Sequence, residues 1–280
     1  MSNISLATLE VKVARHTSFY ESVLVTTDGD AGGKDFISTS LAKYEDGSLA
    51  GKWYRITQST TVKTGVIKNN FSEEGKITLY DAFGAAIVEG STVQLFSFDP
   101  AIIAECINDA IEMSYPELSK AYDDRATTTP TTAPYYCTIP TGIKRVQRVE
   151  VGFDSTDQGN WLPLDFEEVF SGTPLVKKLK LINYQYQGSM LRIAGVGVIG
   201  AYTTLASTLD IPEEWVRPLV LGACYNLYTR LASGLSNNDS KEADVIATKF
   251  NKEYMLQKAI RATAHFNDSA QKQFEVISEG

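Results

Sequence analysis

The sequence predicts an α+β protein: an N-terminal small antiparallel β module, a central helix, a second antiparallel β module and a C-terminal αα-hairpin. Three observations predict it. Residues 53–98 hold short runs of alternating apolar and polar residues, separated by glycine-bearing turns. The stretch DPAIIAECINDAIEMSYPELSKAYD, Asp99 to Asp123, repeats apolar residues at three- and four-residue steps. Beyond residue 210, two apolar-periodic runs flank the polar loop SNNDSKEAD. The chain therefore divides into a β module over 1–98, a helix over 99–125, an extended connector over 126–136, a second β module over 137–209, a helical hairpin over 210–265 and a polar tail over 266–280.

In the first module, Leu9, Val11 and Val13 alternate as a strand does, although Leu6, Leu9 and Val13 also share a helical face; the alternation favours a strand. TTDGDAGGKDF is a loop by composition. Trp53–Gln58, Val62–Phe71, Lys76–Tyr80 and Thr92–Phe98 read as strands of a small sheet or barrel. SEEG ends in the glycine that a left-handed turn position favours, and Glu89-Gly90 marks another turn.

The central helix opens on Asp99 as N-cap, with Pro100 at the first helical position and Phe98 placed to staple onto Ile103. Ile103, Ile107, Ala110, Ile111, Ser114 and Leu118 form its stripe, widened by Ile102, Cys106 and Tyr115. Glu105, Asp109, Glu112 and Glu117 occupy the opposite face, and Pro116 kinks or restarts the last turns. Such a stripe between two β modules is buried by both or shared with a neighbouring subunit. The Thr- and Pro-rich stretch Ala126–Pro134 runs extended along a surface.

The second module reads as strands at Lys144–Val151, Trp161–Phe166, Leu175–Tyr186 and Met190–Val198, with DSTDQGN as a loop. The last two pair as a hairpin around Gly188, and Tyr202–Leu205 extends the set. The hairpin of helices begins at the acidic turn Pro212-Glu213-Glu214. Pro218 implies a short opening turn or a kink, and Leu219, Val220, Ala223, Cys224, Leu227 and Leu231 make the stripe. The final helix runs to Ala264 with Val245, Ile246, Phe250, Tyr254 and Ile260 on one side. Ile103, Ile107, Ile111, Leu118, Leu219, Leu227 and Leu231 are the expected packing or subunit-interface residues.

No stretch approaches the roughly eighteen uninterrupted apolar residues of a membrane helix, and the opening MSNISLATLEVKVARH lacks the features of a secretion signal. A formal charge of −8 argues against a dedicated nucleic-acid binder and against anionic membranes. Cys106, Cys137 and Cys224 are an odd, widely spaced set that reads as buried small hydrophobes in a reducing compartment. Gly195-Val196-Gly197-Val198-Ile199-Gly200 matches the dinucleotide-binding glycine string, but β-branched AYTTLAST follows where a helix is required; bends or close backbone packing explain these glycines better.

His16 and His265 are too far apart in sequence for a ligand pair, and Asp28-Gly29-Asp30 lacks the distal carboxylate of a calcium loop. No Gly-x-Ser-x-Gly elbow appears, and Glu167-Glu168 and Asp123-Asp124 read as solvated charge. Lys144, Arg145 and Arg148, and Lys177, Lys178 and Lys180, form two basic clusters expected to pair with acidic helix faces across a subunit boundary. Fourteen tyrosines with little catalytic polarity favour protein interfaces over chemistry. The residues thus predict no enzyme activity, catalytic group, cofactor or metal.

Ile103, Ile107, Asn108, Ala110, Ile111, Tyr115, Pro116 and Leu118 set out a pattern that resembles the head-to-tail adaptor (connector) proteins of tailed phages. DIPEEWVRPLVLGACYNLYTRLA, Asp210 to Ala232, looks like the late helix of the same proteins. The strand pattern around GKWYRITQ and NNFSEEGKITLYDAF is similar to a β module common in phage virion proteins. The resemblance implies a virion protein of the neck: a homo-oligomeric ring, commonly a dodecamer, made in the host cytoplasm. It would dock between the portal protein and a tail-side neck or tail-completion protein, and pass genomic DNA through its lumen without sequence-specific binding. Another tail-completion or receptor-binding subunit is the alternative within phage structure. A carbohydrate-binding β protein using Trp53 or Trp161 is the alternative outside it.

Overall fold

The computed structural model describes residues 2–17, 19–128, 135–152, 161–172, 174–182, 190–235 and 237–278, with the backbone alone for 2, 126, 128, 237, 238 and 262–278. In chain order the elements begin with β1 (Ser2–Ser5), α1 (Leu6–Thr17), β2 (Tyr20–Leu24), β3 (Asp35–Ile37), β4 (Trp53–Gln58), β5 (Thr61–Phe71), β6 (Lys76–Leu79), β7 (Thr92–Phe96) and α2 (Pro100–Met113). There follow β8 (Lys120–Thr128), β9 (Tyr136–Thr138), β10 (Arg145–Gly152), β11 (Trp161–Pro163), β12 (Phe166–Ser171), β13 (Val176–Leu181), β14 (Met190–Gly197), β15 (Thr208–Ile211), α3 (Glu213–Gly234) and α4 (Asn237–Ser278). The α+β class and the C-terminal helical pair are as the sequence predicts. The chain forms two compact units, 1–110 with 202–261, and 111–201 with 262–280, so the linear division into modules gives way to a discontinuous one.

In the first unit, β2-β7-β4-β5-β6-β3 form one antiparallel sheet, and a bridge between Thr27 and Ile37 joins its two edges into a small barrel. Its core is Phe36, Tyr54, Ile56, Ile67, Ile77, Val93 and Leu95, inward residues of the strands, together with Ile87 from the loop before β7. Strands β4 to β7 fall where the alternation puts them. Gly75 closes the expected turn with a φ of +62°, a conformation that costs glycine little.

Residues 6–17 are helical, which corrects the strand reading. Ser5 Oγ accepts the Thr8 amide at 3.2 Å as an N-cap, and the helix buries Leu6, Leu9, Val13 and Ala14 on one face. That side-chain cap is the signal that alternation alone passes over. β1 pairs with β15, so the residues on either side of the unit's sequence gap meet in one ladder.

α3 is the hub of the first unit, and every residue from Pro218 to Cys224 is buried. A Cβ on Gly222 would lie 3.1 Å from Ala110 Cβ and 3.2 Å from the Tyr254 ring, so α2 and α4 both approach α3 closely. Tyr228 donates its hydroxyl to Thr17 O at 3.0 Å, and its ring meets Phe98 edge-on and stacks on Phe250. Helix α3 runs unbroken through Pro218, without a separate opening turn. On α4 the buried face is Ala243, Ala247 and Tyr254; Val245 and Ile260 are exposed, a correction to the predicted side. The helix also continues to Ser278, so the segment 266–280 expected as a loose polar tail is helical as far as that residue.

The central helix is shorter than predicted. Asp99 Oδ1 caps it by accepting the Ala101 amide at 2.8 Å, but the helix ends at Met113 and residues 120–128 are strand β8. Proline at 116 has no N–H to continue the ladder and disfavours helix in the residue before it. The segment that follows, KAYDDRATT, then finds a partner in β14, from Lys120↔Gly197 to Met190↔Thr128.

In the second unit, β11-β10-β14-β8 form one antiparallel sheet and β12-β13-β9 another. Cys137, Val146, Val149, Val151, Leu179, Leu181, Leu191 and Ile193 from the two sheets share one core. The predicted strand Trp161–Phe166 is two short strands, β11 and the start of β12. β14 pairs with β10 and β8 and not with β13, which corrects the expected hairpin; its turn at Gly188 lies outside the described residues. Most of the connector 126–136 and the loop DSTDQGN also lie outside them, although 126–128 belong to β8. Tyr202–Leu205 is not a strand. Instead, Asn108 clamps the Tyr202 backbone, accepting its amide at 2.8 Å and donating to its carbonyl at 3.1 Å.

Candidate functional site

The residues expected at an interface are mostly covered within one copy. Ile103, Ile107, Ile111, Leu118, Leu219 and Leu227 are all buried, at no more than 2% exposure. Leu231 is half-buried and lines a groove; Ile102, expected to widen the buried stripe, is 39% exposed at the same place. The predicted stripes are therefore mostly core, with Ile102 and Leu231 left at the mouth of a groove.

That groove, of about 270 Å3, runs between the start of α2 and the end of α3, floored by Phe98, Leu227 and Leu231 and flanked by Ile102 and Leu235. Arg230 stands beside it, bound to Glu105 at 2.6 Å and Asp109 at 2.8 Å. The acidic face of α2 is thus tied to α3 of the same copy. A second, wider groove between α1 and α3 has Ile4, Val216 and Val220 on its walls, with Lys12, His16 and Arg217 alongside.

In the second unit, the β12–β13 hairpin ends in a bare apolar patch. Phe170 and Leu175 are 70% and 73% exposed, and Val176 is exposed too. Phe166, Glu168 and Phe170 alternate onto one face, opposite Leu181, Leu179 and Lys177. Leu179 and Leu181 are core, so the inward face runs on past the core that covers it.

Three of the six clustered cations, Arg148, Lys177 and Lys180, find carboxylates inside the unit and not on a helix face. Lys177 meets Glu168 at 2.5 Å, Lys180 meets Glu167 at 3.8 Å, and Arg148 meets Glu150 at 3.3 Å. Across β8, β14 and β10, Arg192 binds Asp123 through two nitrogens at 2.8 and 2.9 Å and reaches Glu150 at 3.3 Å. The Arg192 hydrogen bonds, with Arg125 assisting, hold the Asp123 carboxyl down to about 2. Asp123 is therefore part of a cross-strand charge ladder and not simply a solvated carboxylate.

Other chemistry-bearing groups also serve structure. A Cβ on Gly197 would lie 1.7 Å from Gly142 O, and one on Gly195 2.4 Å from Arg145 O, so these glycines permit close backbone packing. Asp30 accepts amides from Gly32 and Asp35 at 3.3 and 3.2 Å and from Lys34, chiefly the last of which lowers its pKa. Cys106, Cys137 and Cys224 are buried free thiols, pushed by desolvation to about 11, 11 and 12. Among the described residues no group of three His, Cys, Asp or Glu could hold a metal ion. No helix there is long and apolar enough to cross a membrane.

One buried ion pair had no warning in the sequence. Glu10 on α1 and Arg55 on β4 meet at 2.6 Å, 1% and 5% exposed. Burial raises the Glu10 pKa against the opposing pull of Arg55. No family model matches the chain, and no curated protein matches it.

Proposed function

We propose that this chain is a structural, non-enzymatic protein of a tailed-phage particle: a head-to-tail adaptor that assembles with copies of itself into a ring between portal and tail. The observation that carries the reading is the set of large apolar side chains left bare on one copy, Ile102 and Leu235 at the groove and Phe170 and Leu175 at the hairpin. Contiguous bare apolar surface marks an interaction site. The order of barrel, helix, sheet pair and helical pair agrees with the adaptor resemblance. The net charge of −8, with Lys177 and Lys180 held by carboxylates, offers phosphate little purchase, as a DNA conduit requires.

Native mass spectrometry of the purified chain, together with cryo-electron microscopy of the particle, tests the reading. A closed ring at the neck is the expected outcome; a trimer in a fibre, or a chain that stays monomeric, overturns it. The carbohydrate-binding alternative draws less support, because Trp53 and Trp161 are both half-buried.

A further inference from the structure

We infer that the Phe170–Leu175 end of the β12–β13 hairpin of one copy seats in the α2–α3 groove of a second copy, in a head-to-tail contact. The inference rests on the self-assembly half of the proposed function and names the surfaces that carry it. Both halves of the contact are present on every copy, and both are uncovered. The hairpin carries its core-facing side beyond the core, leaving an aromatic ring and a leucine in water. The groove has the matching deficit, an apolar floor with Ile102 and Leu235 standing bare at its edge. Its volume of about 270 Å3 exceeds the roughly 150 Å3 that suffices to hold a benzene ring in an apolar cavity.

Charge selects the same pairing. Beside the groove, Glu105 and Asp109 share the single guanidinium of Arg230, and Asp99 adds a further carboxylate at the rim. Along the hairpin, Glu168 and Glu167 hold Lys177 and Lys180, and Lys178 leaves the two strands with one net positive charge. A cationic apolar tip therefore meets an anionic apolar groove, and tip on tip or groove on groove sets like charges together. A patch on one face that fits a pocket on another makes a heterologous contact, which propagates and closes into a ring when the rotation permits. Repetition of the contact around a closed assembly multiplies its strength beyond that of a single pair.

Cross-linking with a short bis-maleimide tests the pairing in the full chain. Leu175→Cys and Leu235→Cys are the probes, and the three native thiols are buried, so the wild type is the blank. The double variant is expected to give a ladder of covalent oligomers. A mixture of the two single variants should give a heterodimer that grows no further, and each single variant alone should give nothing. Homodimers from a single variant, or Leu175→Cys linking at Val245→Cys in place of Leu235→Cys, would overturn the pairing.

Replacing both Phe170 and Leu175 by Ser should weaken self-association roughly tenfold or more, and because both are exposed the fold should be retained. If native mass spectrometry finds a ring but Leu175→Cys and Leu235→Cys do not link, this contact is wrong and the adaptor reading stands. If the chain stays monomeric, both fall.

Discussion

The barrel of β2–β7 and the paired sheets of the second unit are built from strands of similar kind, yet they treat their edges in opposite ways. The Thr27–Ile37 bridge closes the barrel on itself, leaving no unpaired edge at that seam. The second unit ends its sheets at β11, β8, β12 and β9, and lets the β12–β13 hairpin run beyond its core. A closed sheet satisfies its own backbone and buries its own apolar face. An open one leaves edge groups available to something else, and the exposed Phe170 and Leu175 lie at the end of its β12–β13 hairpin.

The two regions should therefore respond differently to mutation, and the largest effect is expected in β14. Gly197→Val puts a side chain where Gly142 O already lies 1.7 Å from an ideal Cβ, and backbone cannot move aside cheaply. A loss of roughly 4 kcal/mol or more is expected. Hydrogen exchange followed residue by residue should show lost protection in β10 and β14 with β4–β7 unchanged. Equal loss in the barrel would show that the two regions do not fold as separate units.

Next comes the buried pair that fastens α1 to the barrel. Glu10→Gln leaves the Arg55 guanidinium buried without its carboxylate, and Arg55 Nε already has no hydrogen-bond partner among the described residues. The expected cost is about 3–5 kcal/mol, visible as a lowered denaturation midpoint. Replacing both residues, Glu10→Leu with Arg55→Met, should recover most of it, because no isolated charge then remains inside. Failure of the double variant to recover would mean that the pair fixes the position of α1 and does more than neutralise itself.

Acid should act on the charge ladder of the second unit. The Asp123 pKa is lowered from 3.8 to about 2, so its contribution is present above 3.8 and is lost as pH falls towards 2. Acidification should thus loosen the β8–β14 ladder. Exchange rates of the β8 amides between neutrality and about pH 2 check this, and unchanged protection there would refute it.

The same contrast explains what could be read in the sequence. β4–β5 and β5–β6 are neighbours in the chain and in the sheet, so period-two alternation and the turn glycines define them locally. β8 pairs with β14 from the far side of five intervening strands, and no local pattern announces that partner. KAYDDRATT could extend a helix by its spacing, and only the ladder it joins makes it a strand. The Glu10–Arg55 pair was hidden for the same reason: separation by 45 residues leaves no spacing to notice. The stripes of α2 and α3 were legible as apolar faces, but periodicity cannot say whether the cover comes from the same copy or another. Here six of the seven residues are covered by their own chain.

The smallest expected effect concerns the basic cluster. Lys180 and Glu167 lie 3.8 Å apart with side chains 46% and 57% exposed, a geometry in which water screens the attraction and ordering two long side chains offsets it. Lys180→Ala should change stability by less than about 1 kcal/mol. On the proposed function, in which DNA slides past, it should also leave any residual DNA retention and its salt dependence unaltered. A change of about one in the salt slope on removing Lys180 would instead mark a phosphate contact. The open edge of the second unit would then be a DNA-facing surface, and the case for covering it with a second copy would weaken.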